Sequence, residues 1–263
     1  MTEFKTALIT GASAGLGAEF ARQLAAQGTH LILTARRLER LQSLADELMA
    51  QHGICAEVLP ADLSDPAGVE NVVAKIRATP DLELLVNNAG YSVKDRFSDG
   101  DLQKHLDMIQ VHVQASVILA RAALPGMQAR QYGGIINVAS VAAFFPAGNT
   151  TYTATKAYLV NFSRALQLEL LDSGIHVQAL CPGFTYTEFH DTPELKDFRR
   201  SAIPPLLWLT ADQVVRASLK DLRRGKVVSV PGWAYAAVVP FARIFLAGGL
   251  LPIAARLYRK LQR

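Results

Sequence analysis

The sequence has few cysteines and no long hydrophobic run. Its 263 residues include two cysteines, Cys55 and Cys181, and neither has a partner at the spacing of a metal-ligand pair. No disulfide framework is visible, so a reducing, cytoplasmic compartment is expected. No stretch reaches the ~18 uninterrupted apolar residues of a usual membrane span. A strand-like pattern begins almost at the first residue, so no signal peptide is predicted.

A strong excess of one charge is also missing. The chain has 27 basic and 23 acidic residues, a formal net charge of +4. This balance does not indicate a nucleic-acid partner, and a site for a phosphate-bearing ligand explains it more simply. Half of the residues are apolar and 19% are charged, which is typical of a globular enzyme. The length suits one α/β domain better than two independent domains.

Short apolar runs alternate with longer segments of helical periodicity along the chain. The predicted strands are Lys5–Thr10, His30–Thr34, Ile54–Leu59, Leu82–Asn87, Gly134–Ala139, Ile175–Leu180 and Val227–Val230. The predicted helices are Gly15–Gln27, Arg37–Gln51, Pro66–Ala78, Asp101–Ala129 and Tyr152–Asp172. Apolar strands separated by helices indicate a parallel sheet covered on both faces, of about seven strands. This doubly wound Rossmann arrangement places ligands at the carboxyl ends of the strands.

A glycine-rich turn follows the first predicted strand, in the segment Thr10-Gly11-Ala12-Ser13-Ala14-Gly15-Leu16-Gly17. Glycines allow a sharp turn and a close approach of the backbone to a pyrophosphate, and the next helix offers free N–H groups. A lone turn of this kind is equally consistent with a structural strand-to-helix connection. Its position after the first strand of a βαβ unit favours dinucleotide binding.

Two arginines, Arg36 and Arg37, follow the second strand where an NAD-binding protein usually has an acidic residue. Guanidinium groups suit a ribose 2′-phosphate, so NADP(H) is the predicted cofactor. The alternative is that both arginines are solvated residues at the start of an exposed helix. Asp62 follows the third strand, where it could accept a hydrogen bond from an adenine amino group or act as a helix cap.

The ordered motifs of the chain resemble those of the short-chain dehydrogenase/reductase superfamily over roughly residues 4–231. The matching elements are Thr10-Gly-x-x-x-Gly15-x-Gly17, Asp62-Leu63, Asn87-Asn88-Ala89-Gly90, Ser140, Tyr152-x-x-x-Lys156 and Pro182-Gly183. The resemblance implies a cofactor site that includes Gly11, Ser13, Ala14, Gly15, Leu16, Gly17, Arg36, Arg37, Asp62, Leu63, Asn88, Ala89, Gly90, Val111, Tyr152, Lys156, Pro182, Gly183, Thr185 and Thr187.

Tyr152 and Lys156 are the candidate acid/base pair. They lie four residues apart on one predicted helix and so share a face. A free tyrosine has a pKa of about 10, and a neighbouring ammonium group is expected to lower it by stabilising the phenolate. The resemblance implies that Lys156 also holds the nicotinamide ribose and that Ser140 holds the substrate oxygen. The alternative is an ordinary surface tyrosine and lysine.

His112 is a departure from the family pattern. Many family members have an asparagine at this position, thirteen residues before a Leu-Pro pair that here is Leu124-Pro125. The resemblance implies that the backbone carbonyl of this residue helps to hold a proton-relay water, a role that any residue can keep. We expect His112 to be compatible with catalysis, and the alternatives are a weakened relay or a core histidine. This leaves open a dinucleotide-binding regulatory protein with weak or no turnover.

Aromatic residues dominate the segment after Pro182-Gly183, where the family carries a lid, here about residues 184–210. An apolar lining with few charges fits a hydrophobic ketone, aldehyde or alcohol. The predicted substrate contacts are Phe144, Phe145, Phe184, Tyr186 and Phe189, and Phe198 lies in the same lid. Some of these residues are expected to pack the lid onto the core instead.

Residues 232–263 form an apolar and then basic extension beyond the predicted Rossmann domain of residues 1–231. From Lys226 onward there are six basic residues and no acidic residue. Two short helices broken at Gly248-Gly249 are predicted. The extension could cover the substrate cleft or a subunit interface, lie in a membrane surface, or dock on the core as a terminal helix pair.

Together these features predict an NADPH-dependent oxidoreductase that interconverts a carbonyl and an alcohol on a hydrophobic small molecule. The expected partners are that substrate and a second or further copies of the chain, because family members are often dimers or tetramers. No nucleic acid and no metal are expected, and peripheral membrane contact stays open.

Overall fold

A computed structural model of the protein describes residues 4–93, 95–145, 149–190 and 200–239. Seven parallel strands form the main sheet in the order β3-β2-β1-β4-β5-β6-β9. Their bounds are β1 Thr6–Thr10, β2 His30–Ala35, β3 Ala56–Pro60, β4 Leu84–Asn87, β5 Gly133–Val138, β6 Ile175–Leu180 and β9 Val228–Ser229. Two short strands, β7 Thr185–Tyr186 and β8 Leu209–Thr210, pair with each other in the lid. The predicted doubly wound parallel sheet is confirmed.

The strand order reverses between β1 and β4, which creates the crevice where ligands bind in such sheets. All five residues of β1 are buried, because this central strand is covered by helices on both faces. In its register Leu8 lies between Ile32 of β2 and Leu85 of β4. The carboxyl end of β1 therefore lies in the middle of the crevice.

Seven α-helices lie between β1 and β9 in the described residues. Their bounds are α1 Gly15–Ala25, α2 Leu38–His52, α3 Pro66–Arg77, α4 Leu102–Ile109, α5 Ser116–Arg130, α6 Thr150–Glu169 and α7 Ala211–Arg223. Polar side chains begin several of them, since an N-cap oxygen accepts a free backbone N–H. Asp65 caps α3 and Asn149 caps α6. Helix α7 begins with a capping box of Thr210 and Gln213.

The predicted single helix Asp101–Ala129 is divided in the structure. Helix α4 ends at Ile109, a π-helical turn spans Gln110–Ala115, and α5 begins at Ser116. Such turns insert one residue into a helix and often occur at functional sites. Apolar periodicity does not reveal the insertion, because the residues on both sides keep a helical pattern. The π-helical turn contains His112.

The part of the chain beyond β9 is described only to residue 239. Residues 233–239 are helical. The predicted break at Gly248-Gly249, the basic end of the extension and the lid residue Phe198 lie outside the described residues. Within the described ranges, no helix is long and apolar enough to cross a bilayer.

Candidate active site

A cleft of about 1320 Å³ opens at the carboxyl ends of the central strands. This volume exceeds the roughly 300–1,000 Å³ of a typical small-ligand pocket. The cleft extends from the start of α2 to the start of α6 and the lid, so it has room for a dinucleotide and a second molecule. Nearly all predicted cofactor residues line it: Gly11, Ser13, Ala14, Gly15, Leu16, Arg36, Arg37, Asp62, Leu63, Asn88, Ala89, Gly90, Val111, Tyr152, Lys156, Pro182, Gly183, Thr185 and Thr187.

Gly17 is the exception among the predicted cofactor residues, because it does not line the cleft. A Cβ atom at Gly17 would lie 2.3 Å from the carbonyl oxygen of Gly11. Gly17 therefore allows α1 to pack closely against the turn. Gly11 itself has φ +65°, a left-handed conformation that glycine adopts without strain.

Asn88 and Thr10 fix the glycine-rich turn to the end of β4. The Asn88 Nδ2 group donates to the carbonyl oxygens of Thr10 and Gly11, at 2.8 and 3.2 Å. In return, the Thr10 hydroxyl oxygen accepts the backbone N–H groups of Asn88 and Ala89, both at 2.9 Å. These bonds join two of the predicted motifs into one rigid floor of the cleft.

The two predicted arginines occupy different positions at the start of α2. Arg37 donates to the Ser13 hydroxyl at 3.1 and 3.2 Å and to Glu188 at 3.1 Å. Arg36 is more exposed and lies 3.9 Å from the Asp62 carboxylate. Asp62 accepts the backbone N–H and the hydroxyl of Ser64, at 2.9 and 2.7 Å. It is not a helix cap, since Asp65 fills that position.

Tyr152, Lys156 and Ser140 come together at the other end of the cleft. The backbone N–H of Tyr152 donates to the Asn149 cap at 2.8 Å, which places Tyr152 in the first turn of α6. Lys156 is buried, and its Nζ donates to the Val138 carbonyl at 2.7 Å. That Nζ lies 5.6 Å from the centre of the Tyr152 ring. The predicted acid/base constellation is thus assembled from β5, α6 and the loop between them.

Burial controls the ionisation of this pair. Burial raises the pKa of Tyr152 to about 12, against a smaller lowering by the Ser140 hydroxyl, which hydrogen-bonds to it. Burial also lowers the pKa of Lys156 to about 7. The expected lowering of the Tyr152 pKa is absent here, because the charged forms of both groups lose hydration. At neutral pH Tyr152 therefore carries its proton.

His112 is almost completely buried behind the pair. Its Nε2 accepts the backbone N–H of Tyr91 at 3.1 Å, and its Nδ1 lies 2.9 Å from the Thr155 hydroxyl. Its ring meets that of Tyr152 edge-on at 5.8 Å. Burial and the nearby Lys156 charge hold the pKa of His112 well below its usual value, so the imidazole is neutral.

The predicted substrate residues divide into two groups. Phe145, Phe184 and Phe189 line the cleft, and the Phe189 ring lies 6.0 Å from the Tyr152 ring. Phe144 is instead buried in the core. Tyr186 stacks on Trp208 at 4.7 Å, away from the cleft lining.

The cleft lining also includes residues that the sequence did not single out, among them Arg40, Glu188 and Tyr235. Arg40 lies one helical turn after Arg37, so its spacing could have indicated it. Glu188 and Tyr235 carry no local signal, because each reaches the cleft from a distant segment. Within the described residues, no cluster of side chains suited to a metal ion occurs.

The comparisons with known proteins agree with this geometry. The short chain dehydrogenase family profile matches residues 5–196. The chain belongs to the short-chain dehydrogenase family. It is an NAD(P)-dependent oxidoreductase that acts on CH–OH or C=O groups.

Three relatives are similar over most of the chain. The very-long-chain 3-oxoacyl-CoA reductase of Phaeosphaeria nodorum is 33% identical over 96% of this chain and 75% of its own length. A short-chain dehydrogenase from Sphingobium yanoikuyae, solved with NADPH, is 34% identical over 94% and 96%, with a TM-score of 0.82. The bulky-bulky ketone specific alcohol dehydrogenase of Comamonas testosteroni is 30% identical over 94% and 95%, with a TM-score of 0.79.

Proposed function

We propose that this short-chain dehydrogenase uses NADPH to reduce a carbonyl group on a bulky, hydrophobic small molecule. The observation that carries the proposal is the layout of one continuous cleft. Arginines that suit a 2′-phosphate lie at one end, and Tyr152 with an aromatic lining lies at the other. Two of the relatives above act, by name, on a 3-oxoacyl-CoA or a bulky ketone, and a third was solved with NADPH.

The arginine end of the cleft fits the extra phosphate of NADP(H). Arg37 and Arg40 already hold one anionic group, the carboxylate of Glu188. A phosphate monoester offers the same guanidinium groups a stronger, bidentate partner. When bound, the reduced cofactor supplies the hydride that the carbonyl carbon receives.

The protein's own residues supply the proton and set the ionisation state of the group that donates it. Ser140 and Tyr152 donate hydrogen bonds to the substrate oxygen, and Tyr152 transfers its proton as negative charge develops there. The raised pKa of Tyr152 keeps it in the acid form at neutral pH, which favours reduction over oxidation. A protonated Lys156 then stabilises the phenolate left behind.

The test is steady-state reduction of a panel of hydrophobic ketones and aldehydes, with NADPH and NADH in parallel. Tyr152→Phe keeps the ring and removes the proton, so kcat is expected to fall by about 10²–10⁴-fold or more. Binding of NADPH, followed by calorimetry, is expected to change little. Turnover that survives in Tyr152→Phe would contradict the assignment of the acid.

A dinucleotide-binding regulatory protein is the competing proposal, raised by His112. It requires NADPH binding without turnover of any compound in the panel. The satisfied, neutral His112 favours an active enzyme, because a hydrogen-bonded imidazole leaves Tyr152 and Lys156 in place.

The extension is proposed to cover the substrate cleft, among the roles left open by its sequence. Tyr235 in the helical segment 233–239 is buried, and its hydroxyl accepts the Phe184 N–H at 3.0 Å. The same hydroxyl donates to the Leu207 carbonyl at 2.7 Å. One side chain of the extension thus joins both ends of the lid. The membrane-surface role depends on residues beyond 239 and stays a prediction.

Self-association is proposed through the face formed by α5 and α6. Exposed apolar side chains lie on these two helices, among them Ile118, Tyr158 and Leu168. Large exposed apolar patches mark interaction sites. Light scattering after size-exclusion chromatography, with Leu168→Glu as the disrupting variant, tests it, and an unchanged mass for wild type and variant would contradict it. Cytoplasmic localisation stays a prediction.

A further inference from the structure

Glu188 of the lid is bound by two arginines at the entrance to the cofactor end of the cleft. Its Oε2 lies 3.1 Å from an Nη of Arg37, and its Oε1 lies 2.6 Å from an Nη of Arg40. The hydrogen bond from Arg40, together with that from Arg37, holds the pKa of Glu188 below its usual value. Glu188 is therefore a carboxylate at neutral pH. All three side chains line the cleft.

This carboxylate occupies the cations that the proposed function assigns to the 2′-phosphate. We propose that Glu188 sets the cofactor preference: it competes with the 2′-phosphate of NADP(H) for Arg37 and Arg40, and it does not oppose NAD(H). The inference rests on the proposed function and adds Glu188, as a selectivity residue, to the phosphate end of the cleft.

The Glu188 ion pairs and the phosphate contact are thermodynamically linked. Two negative groups cannot both keep the same guanidinium hydrogen bonds, and a carboxylate beside a phosphate adds like-charge repulsion. Binding of NADP(H) must therefore displace Glu188 or accept a weaker phosphate contact. NAD(H) carries a 2′-hydroxyl in place of the phosphate, so its binding leaves the Glu188 ion pairs intact. Glu188 thus lowers the affinity for one cofactor and not for the other.

The solvent exposure of these ion pairs limits how much Glu188 changes the Kd for NADP(H). Glu188 and Arg40 are each 51% exposed and Arg37 is 46% exposed, so solvent and salt screen the pairs. Two exposed ion pairs with one carboxylate correspond to about a two- to tenfold change in Kd. This is enough to shift a preference and too little to abolish binding.

The experiment is titration calorimetry of the full-length protein with NADPH and with NADH separately. Glu188→Gln keeps the shape of the side chain and removes its charge. Glu47→Gln is the matched control, since Glu47 forms an exposed pair with Arg22 at 3.2 Å outside the cleft lining. Arg40→Ala is made on the Glu188→Gln background, where no carboxylate competes and loss of the phosphate contact is read directly.

The expected result is a two- to tenfold lower Kd for NADPH in Glu188→Gln, with Kd for NADH unchanged. Glu47→Gln leaves both values unchanged, and adding Arg40→Ala weakens NADPH binding selectively. An unchanged or higher Kd for NADPH in Glu188→Gln would overturn this inference alone. Failure of the wild type to bind either dinucleotide would overturn the proposed function with it.

Discussion

The Nδ1 atom of His112 lies 2.9 Å from the hydroxyl of Thr155, the residue directly before Lys156. Since Nε2 of His112 accepts a backbone N–H, we assign the ring proton to Nδ1, which donates to Thr155. Thr155 in turn donates to the Tyr152 carbonyl at 2.9 Å. A second pair, His105 Nδ1 and the Thr151 hydroxyl at 2.8 Å, repeats the contact one helical turn away. Two histidines therefore attach the catalytic helix to the segment α4–α5.

We expect His112→Phe to lower kcat by about ten- to a hundredfold. The variant keeps an aromatic ring but removes the acceptor of the Tyr91 N–H and the donor to the Thr155 hydroxyl, which keeps its bond to the Tyr152 carbonyl. The loss of a partner for a buried polar group costs about 1–3 kcal/mol, enough to shift the helix that positions Tyr152 and Lys156. Steady-state kinetics and NADPH calorimetry are the measurements, and the Kd is expected to change much less than kcat.

Two comparison variants separate positioning from general destabilisation. His112→Asn retains a side chain that hydrogen-bonds and is expected to recover part of the lost kcat. His105→Phe removes the parallel contact to Thr151, farther from Lys156, and is expected to have the smaller effect on kcat. Equal losses of kcat and thermal stability in all three variants would contradict a positioning role.

His112 also makes stability depend on pH. Its pKa in the folded protein is well below the unfolded value, so below pH ~6.5 the unfolded chain binds the proton first. The free energy of unfolding is then expected to fall by up to about 1.4 kcal/mol per pH unit until the folded pKa is reached. Above pH ~6.5 His112 does not contribute to the pH dependence of the free energy of unfolding.

Urea unfolding of wild type and His112→Asn between pH 5 and 8 measures this contribution. The difference in unfolding free energy between the two proteins is expected to shrink as the pH falls below 6.5, because the variant lacks the titrating group. A difference that is constant across this range would show that His112 is protonated equally in both states.

Lys156 is expected to give the reduction reaction a pH limit near neutrality. Its pKa of about 7 means that the ammonium form declines as the pH rises through that value. The phenolate formed on Tyr152 then loses its stabilising charge, so kcat/KM for reduction is expected to fall. The measurement is kcat/KM for one ketone from pH 6 to 9.5.

Lys156→Arg provides the control, since arginine stays charged across this range. The variant is expected to be slower, because the larger side chain disturbs a buried site, but its profile is expected to be flat near pH 7. A wild-type profile that stays level up to pH 9.5 would mean that Lys156 keeps an ordinary pKa during turnover.

Tyr235→Phe tests the contact between the extension and the lid. The change keeps the ring and removes the hydroxyl that joins Phe184 and Leu207. Loss of about 1–2 kcal/mol of hydrogen bonding at the lid is expected to raise KM for the carbonyl substrate several-fold. The NADPH Kd and kcat at saturation are expected to change less than twofold.

Gly183→Ala gives an independent check on the same contact. A Cβ atom at Gly183 would lie 2.1 Å from the Tyr235 ring. An alanine side chain at position 183 and the Tyr235 ring therefore cannot both occupy these positions. The substitution is expected to raise KM in wild type and to have a smaller effect when combined with Tyr235→Ala. Additive effects in the double variant would show that Tyr235 does not lie against Gly183 in solution.

Much of the fold could be predicted from short windows of sequence. The strand β5, for example, begins at a pair of glycines and is mostly apolar, and the structure places it within one residue of its predicted bounds. Tyr152 and Lys156 share a helix face by spacing alone. The π-helical turn at Gln110–Ala115 was missed, because one inserted residue leaves the apolar pattern of a helix intact.

The candidate site also contains residues that local sequence indicated and residues whose positions depend on packing. Local sequence identified the glycine-rich turn, Asn88, Ser140 and the pair Tyr152 and Lys156. It could not separate Phe145, which lines the cleft, from its neighbour Phe144, which is buried in the core. The direction of a side chain in a loop depends on how the loop packs, and no periodicity reports it.

The sequence by itself determined the sheet and the order of the motifs and indicated the candidate reacting groups, since these depend on periodicity and on chemistry within a few residues. Tertiary structure alone decided three contacts: Arg40 with Glu188, His112 with Thr155, and Tyr235 with Phe184. They join residues 148, 43 and 51 positions apart. Such contacts form only when packing brings distant segments together, and burial then fixes the ionisation of the groups at the site.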